Sequence, residues 1–277
     1  MASSSSLQTD SAPVCFFSWN VNGYKDSIHS TIRGIITQSN PDVIFLSETK
    51  KSADILNKYF SEFKDYIAVV SAHTPHQYHG VAMLIRNNHR VNRLSVNMGI
   101  ECRKDSKGCK DPSEGRVLLV QIDNMVVVGT YIPNSGVDGN EEKLIYRTGV
   151  WDKSMYSLLE QLRAPTNNQV VWLGDINVAP VRLDISNKKM ETWAGYTPGE
   201  RSNFSEFIKK GWVDIWRYQH PNAKEFTWRG KLDSTTYGMR LDNIIVPIEM
   251  LSKVNSSFIC HNCQGSDHVP VGAYIYP

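Results

Sequence analysis

Apolar runs that stop abruptly in polar, chemistry-bearing residues constrain this chain more than any other feature. The clearest is Val170–Ala179, VVWLGDINVA. Val170, Val171, Trp172 and Leu173 predict a buried strand, Gly174 predicts a turn, and Asp175 and Asn177 follow at the strand's carboxyl end. Four other stretches repeat the layout: FFSWNVNG ends in Asn20 and Asn22, DVIFLSETK in Glu48, VVVGTYIPNSG in Tyr131 and Asn134, and MRLDNIIV with GSDHVPV brings Asp242, Asp267 and His268. One such run is ordinary, because strands commonly exit into polar turns. Five that jointly supply Asn, Glu, Tyr, Asp-x-Asn, Asp and Asp-His form an inventory for metal-assisted hydrolysis, placed where α/β proteins keep their ligands.

The order of elements predicts an α/β fold. Val14–Trp19 reads as a strand, Ile28, Ile32, Ile35 and Ile36 as a helix stopped by Pro41, and Val43–Ser47 as a returning buried strand. A short helix over Ile55–Phe60 precedes a strand-rich stretch: Tyr66–Ser71, Val81–Arg86, Arg90–Met98, Val117–Ile122 and Met125–Tyr131. Leu144, Trp151, Met155, Leu158, Leu159 and Leu162 then predict one long helix ending before Pro165 and feeding the Val170–Leu173 strand. Thr197, Pro198 and Glu200 spell a capping box, with Phe204, Phe207 and Ile208 behind it. Phe226–Trp228, Met239–Val246, Ser256–His261 and Val269–Tyr274 are the closing strands. Two halves that each mix sheet and helix fit two sheets packed face to face with helices outside.

Across 277 residues no Gly/Ser/Pro-rich linker divides the chain, which predicts a disordered Ser-rich tail over 1–13 and a single domain over 14–277. With 41% hydrophobic residues it can build a large core, and no apolar run is long enough to span a bilayer, so no membrane partner is expected. Net charge is only +2, so affinity for nucleic acid must come from where the cations lie. Lys50, Lys51, the Arg103–Lys110 loop, Lys188, Lys189, Arg229 and Lys231 are the candidate phosphate contacts, each of which also fits a solvated surface. Five cysteines without a secretory signal predict a reducing, intracellular setting, the nucleus in a eukaryote and otherwise the cytoplasm or nucleoid. Cys260 and Cys263 form a C-x-x-C, but the Cys102–Cys109 spacing is wrong for a zinc knuckle, and free thiols are the expectation.

Eight blocks, WNVNG, SETK, EGRV, YIPNSG, GDINVAP, GYTPGER, RLD and GSDHVPV, run in this order over Val14–Pro277. In this arrangement the chain resembles the exonuclease III family of abasic-site (AP) endonucleases, within the endonuclease/exonuclease/phosphatase superfamily. The resemblance implies a four-layer α/β sandwich, Mg²⁺ dependence with Mn²⁺ as a substitute, and action as a monomer on double-stranded DNA containing abasic sites. The backbone would be cut 5′ to the lesion, leaving a 3′-hydroxyl, with some 3′-5′ exonuclease or 3′-phosphodiesterase activity besides. Asn22 stands where many relatives carry Asp, and Met239 and Asn243 where some carry aromatic residues, which bears on metal affinity and on substrate preference.

Carried over position by position, the resemblance makes Glu48 the metal ligand, with Asn20, Asn22 and Asp267 holding the metal's shell or its waters. Asp175 resembles the general base, Asn177 a donor to the phosphate, and His268, oriented by Asp242, a charged contact to the same phosphate. Tyr131 would hydrogen-bond the phosphate or leaving oxygen; Asp175, Tyr131 and a metal-bound hydroxide stay open as the group that activates the water. Trp228, Met239 and Leu241 align with the pocket for a flipped-out sugar, and Asn134, Arg116 and Arg147 with positions that support the site or meet DNA phosphates. Residue by residue, duller roles exist: an Asx turn for Asp175, turn formers for Asn20 and Asn22, core packing for Tyr131 and Met239. Two alternatives keep the fold: a superfamily phosphoesterase acting on another substrate (a general nuclease, RNA or a phosphorylated small molecule), and a noncatalytic DNA-binding relative. Tyr131 with GYTPGER argues against the first, and the presence of Glu48, Asp175, Asn177, Asp242, Asp267 and His268 against the second.

Overall fold

The computed structural model describes residues 12–72, 77–95, 115–136, 141–163 and 169–277. Cys102, Cys109 and the Arg103–Lys110 loop, with most of the Ser-rich tail, lie outside the described residues. The first half runs β1 (Val14–Asn20), α1 (Asp26–Ser39), β2 (Val43–Ser47), α2 (Ala53–Phe60), β3 (Tyr66–Ser71), β4 (Val81–Arg86), β5 (Val91–Arg93), β6 (Val117–Ile122) and β7 (Met125–Tyr131). The second half runs α3 (Glu141–Ile145), α4 (Asp152–Arg163), β8 (Gln169–Asp175), α5 (Pro198–Ile208), β9 (Trp212–Asp214) and α6 (Ile215–Gln219). It closes with β10 (Trp228–Leu232), β11 (Thr235–Met239), β12 (Asp242–Pro247), β13 (Val254–Ile259) and β14 (Val271–Ile275).

Two six-stranded sheets form, in the orders β13-β14-β1-β2-β4-β3 and β5-β6-β7-β8-β12-β9, with β10 and β11 as a separate hairpin. Each sheet has one parallel pair near its centre, β1 with β2 and β7 with β8, and the helical crossover of each pair lies on that sheet's outer face. Alternation within the strands makes the layers. Phe16, Phe45 and Met83 point inward against Leu118, Val127, Leu173 and Ile244 of the facing sheet. Phe17, Trp19 and Leu46 point outward to Ile28, Ile32, Leu56 and Phe60 of α1 and α2. On the far side Val128, Trp172 and Ile245 meet Met155, Leu159, Phe204 and Phe207 of α4 and α5. The result is the expected four-layer sandwich. Because both faces of the central strands are covered, their sequences read as unbroken apolar runs instead of alternating ones.

Gly174 does not turn the chain: β8 continues through it to Asp175. Its φ is 139°, and a Cβ there would lie 2.0 Å from the Thr130 carbonyl oxygen of β7. Glycine is required by the close approach of two parallel strands. The predicted Leu144–Leu162 helix is instead α3 and α4 joined by a π turn over Tyr146–Trp151, a widening that periodicity at 3.6 residues does not register. Met239–Val246 divides, because Met239 pairs with Trp228 in the hairpin while β12 starts at Asp242. The backbone N–H groups of Leu241 and Asp242 at this break donate to Thr227 Oγ1 at 2.9 and 3.1 Å. Apolar patterning marks only Phe226–Trp228 at the start of the hairpin, since Arg229, Lys231 and Thr235 are exposed and leave little apolar pattern. Of the Arg90–Met98 strand, Val91–Arg93 is formed and 96–98 falls outside the described residues.

Candidate active site

The polar strand ends meet along one edge of the sandwich. Parallel pairing sets Asn20 beside Ser47, just before Glu48, and Tyr131 beside Asp175, while antiparallel β12 brings Asp242 to the other side of Asp175. The loop entering β14 adds Asp267 and His268. Asn22, Glu48, Lys50 and Asn177 all hold φ between 43° and 53°. Left-handed backbone in non-glycine residues costs about 1–3 kcal/mol each and gathers at functional sites.

Asn20, fully buried, sits at the junction. Its Nδ2 donates to Glu48 Oε1 at 2.8 Å and to Asp175 Oδ2 at 2.8 Å, and its Oδ1 accepts from the Asn22 N–H at 3.0 Å. Asn20 therefore ties two carboxylates together, and its one oxygen already accepts an N–H. Glu48, Asn22 and Asp267 are the better oxygen donors. Lys50 Nζ lies 2.7 Å from Glu48 Oε2 and 2.6 Å from Asn22 Oδ1, so two hard oxygens already converge on a cation. Asn22 Nδ2 donates to Asp267 Oδ1 at 3.0 Å, which draws the third donor to the same edge. This all-oxygen set fits Mg²⁺ or Mn²⁺.

Deeper in, Asp175, Asp242 and His268 present ligand atoms within 4.8 Å of one another, a buried cluster that would also suit a metal ion. His268 Nδ1 bonds Asp242 Oδ2 at 2.7 Å, which leaves Nε2 for the pocket. Burial works against charging the imidazole, but the Asp242 carboxylate outweighs it and pushes the His268 pKa up to about 10. With Nδ1 engaged by Asp242, the ring is placed to hold charge and present a proton at Nε2. Asp175 is raised to about 7, first by burial, then by the neighbouring Asp242 charge, with Glu48 adding to it. Burial, helped by Glu48, holds the Tyr131 hydroxyl well above its usual value, so it remains a proton donor.

Asn177 is bound more tightly than a simple phosphate donor: its Nδ2 gives 2.8 Å to Ile132 O and 3.4 Å to Asp175 Oδ2, and its Oδ1 accepts from Asn134 Nδ2 at 3.2 Å. Only the long bond to Asp175 is easily exchanged for a substrate oxygen. Arg147, 1% exposed, does not reach any surface a phosphate could approach. Its guanidinium bonds Asp152 Oδ1 at 2.7 Å, Pro133 O at 3.1 Å, Ile176 O at 2.9 Å and Asn177 O at 3.2 Å, gathering the two loops that carry Asn134 and Asn177. Arg116, also buried, stacks its guanidinium 4.8 Å from the Tyr131 ring centre. Asn243, within β12, accepts from Arg240 and is not among the residues that line the pocket, whereas Met239 is.

Glu48, Tyr131, Asn134, Asp175, Asn177, Asp267 and His268 form one wall of a pocket of about 510 Å³ whose other wall is apolar: Trp193, Trp228, Met239 and Leu241, with Lys231 and Leu232 of the hairpin at the rim. Trp228 Nε1 donates to Asp267 Oδ2 at 3.0 Å, joining the walls. Two supports carry no sequence signal: Thr227, just before β10, whose hydroxyl caps the start of β12, and Ser266, whose Oγ donates to Asn20 O at 2.8 Å. Lone hydroxyl residues in polar loops carry no pattern that would have singled them out.

Residues 17–91 match the Endonuclease/Exonuclease/phosphatase family. The chain is similar to a DNA-(apurinic or apyrimidinic site) endonuclease of Dictyostelium discoideum, 32% identical over 93% of this chain and 69% of that protein. It is also similar to an exodeoxyribonuclease of Bacillus subtilis, 27% identical over 92% of this chain and 96% of that one. Among solved structures, an AP endonuclease from Leishmania major superposes with a TM-score of 0.79 at 26% identity, over 96% of this chain and 89% of that one.

Proposed function

The chain belongs to the family of DNA-(apurinic or apyrimidinic site) endonucleases, and from that premise we propose that it is a metal-dependent enzyme of base excision repair, which hydrolyses the phosphodiester 5′ to an abasic site and leaves a 3′-hydroxyl. It is a DNA nuclease and a hydrolytic phosphodiesterase. The finer reading rests above all on one arrangement: Asp175, with a pKa of about 7, stands beside the charged His268 on the polar wall of a pocket whose other wall is apolar.

In this reading Asp175, ionised in half or more of the molecules at and above neutral pH, accepts a proton from the attacking water. His268, held by Asp242, directs its Nε2 proton at a phosphate oxygen and offsets the charge that grows during attack. Tyr131, protonated throughout, donates to the phosphate or the leaving oxygen and is not the base. Asn177 and Asn134 supply neutral donors alongside. A divalent cation, Mg²⁺ with Mn²⁺ as substitute, would be held by Glu48, Asn22 and Asp267, and it supplies positive charge to the phosphate and leaving oxygen. Trp228, Met239 and Leu241 would receive the flipped-out baseless sugar, which costs least to extrude because no base pair must be broken.

The protein would act as a monomer on duplex DNA, in a reducing compartment that suits the free thiols Cys15, Cys260 and Cys263. Some trimming of 3′ ends, as exonuclease or 3′-phosphodiesterase, is proposed beside incision. Among the described residues no helix is long and apolar enough to cross a membrane. The test is the product end. A duplex labelled on the strand with one abasic analogue should give a fragment that a polymerase extends without further processing. A fragment that cannot be extended would overturn the proposed side of cleavage.

A further inference from the structure

The C-x-x-C of Cys260 and Cys263 has no part in the chemistry above, and its geometry is that of a pair made to join. The Cys263 N–H donates to Cys260 O at 3.4 Å, closing a four-residue turn. The ends of such a turn lie within about 7 Å of each other at Cα, and a disulfide spans about 4.4–6.8 Å. Both side chains are half-buried on the same cluster, with Phe258 and Tyr274, while His261 and Asn262 at the tip face solvent. The turn is also anchored outside itself, by Cys260 N–H to Pro270 O at 2.8 Å and by His261 to Glu225 at 2.6 Å.

We propose that Cys260 and Cys263 form a reversible dithiol–disulfide site, oxidised by peroxide, at the root of the loop that carries Asp267 and His268. Its neighbour Cys260 lowers the Cys263 pKa, which makes Cys263 the attacking sulfur. Its thiol takes one oxygen from hydrogen peroxide, giving a sulfenic acid and one water. The Cys260 thiol then displaces that oxygen as a second water, forming the S–S bond. Two thiol protons and two electrons thus leave the protein, and the peroxide is reduced to two waters. Cys15, in the same cluster but only 4% exposed, is sheltered from the oxidant. Between the pair and the site, Gln264 O accepts from Thr31 Oγ1 at 3.0 Å and Ser266 Oγ donates to Asn20 O at 2.8 Å. The loop stays pinned between the new bond and the site.

The test is peroxide treatment of the full chain, alkylation, digestion and mass spectrometry, with and without later reduction by a dithiol. The expected result is a peptide joining Cys260 to Cys263, two hydrogen masses lighter, which regains two alkylatable thiols on reduction. In Cys260→Ser the bond cannot close, and Cys263 should be captured as a sulfenic acid by dimedone; in Cys263→Ser, Cys260 should remain alkylatable. Two free thiols after treatment of the native chain, or Cys263 carried on to sulfinic acid in place of bonding, would overturn the proposal. No incision is measured, so this result and the nuclease reading stand or fall separately.

Discussion

Asn20 Nδ2 donates to Asp175 Oδ2 at 2.8 Å, joining the end of β1 in one sheet to the end of β8 in the other. The bond stabilises ionised Asp175, against burial and the Asp242 charge that raise its pKa. Asn20→Ala should therefore push Asp175 higher still. A hydrogen bond to a charged group contributes about 1.5–3 kcal/mol, so the acid-side midpoint of the pH–rate profile should move up by about one to two pH units. An unmoved midpoint would remove Asn20 from the control of that proton.

Asp175→Asn removes the proton acceptor at nearly constant shape. Turnover should fall by about 10²–10⁴-fold with abasic-DNA binding largely kept. Stability should move the other way. The folded-state pKa of about 7 lies above the ordinary 3.8, so folding favours the protonated form; that benefit is complete below 3.8 and is lost as pH rises through 7. The variant should thus melt above the native protein at pH 8, and the difference should shrink toward pH 5. Calorimetry at the two pH values checks this.

The native enzyme should show a bell-shaped pH dependence of single-turnover incision. The rate rises as Asp175 ionises through about 7 and falls as His268 loses its proton through about 10. Asp242→Asn, which removes the partner that keeps His268 charged, should draw the basic limb toward neutrality.

Glu48→Ala should raise the Mg²⁺ concentration needed for half-maximal incision, because it removes the carboxylate where the oxygens converge. Lys50 loses its ion pair in the same variant and keeps the bond to Asn22. Mn²⁺ binding followed by electron paramagnetic resonance reports the same loss without any turnover.

Arg147→Gln should leave Asp152 buried without its ion pair and release Pro133, Ile176 and Asn177. Breaking a buried pair costs about 3–5 kcal/mol, which a denaturant titration will read. Arg147→Lys keeps the charge and loses the fork, so it should recover part of the stability but little of the turnover.

Much of this was legible in the sequence, for a physical reason. Central strands covered on both faces leave unbroken apolar runs such as Val170–Leu173, and their sudden ends mark Glu48, Tyr131 and Asp175. The capping box at Thr197 was readable because it is local: Thr197 Oγ1 accepts from the Glu200 N–H, and Glu200 Oε2 from the Thr197 N–H. Long-range features were not. Gly174 reads as a turn until Thr130 is seen against it, and Arg147 reads equally as a support of the site or a DNA contact until its burial beneath the loops it holds selects the first. The hairpin over Trp228–Met239 stayed hidden because exposed residues line it, even though it shapes the pocket rim.

The most direct measurement is single-turnover incision of a labelled duplex carrying one tetrahydrofuran abasic analogue, with Mg²⁺ or EDTA, beside the undamaged duplex and the Asp175→Asn variant. The account requires Mg²⁺-dependent cleavage 5′ to the analogue by the native chain, with little by the variant and little on undamaged DNA. Equal cleavage of both duplexes, or undiminished cleavage by Asp175→Asn, would contradict it.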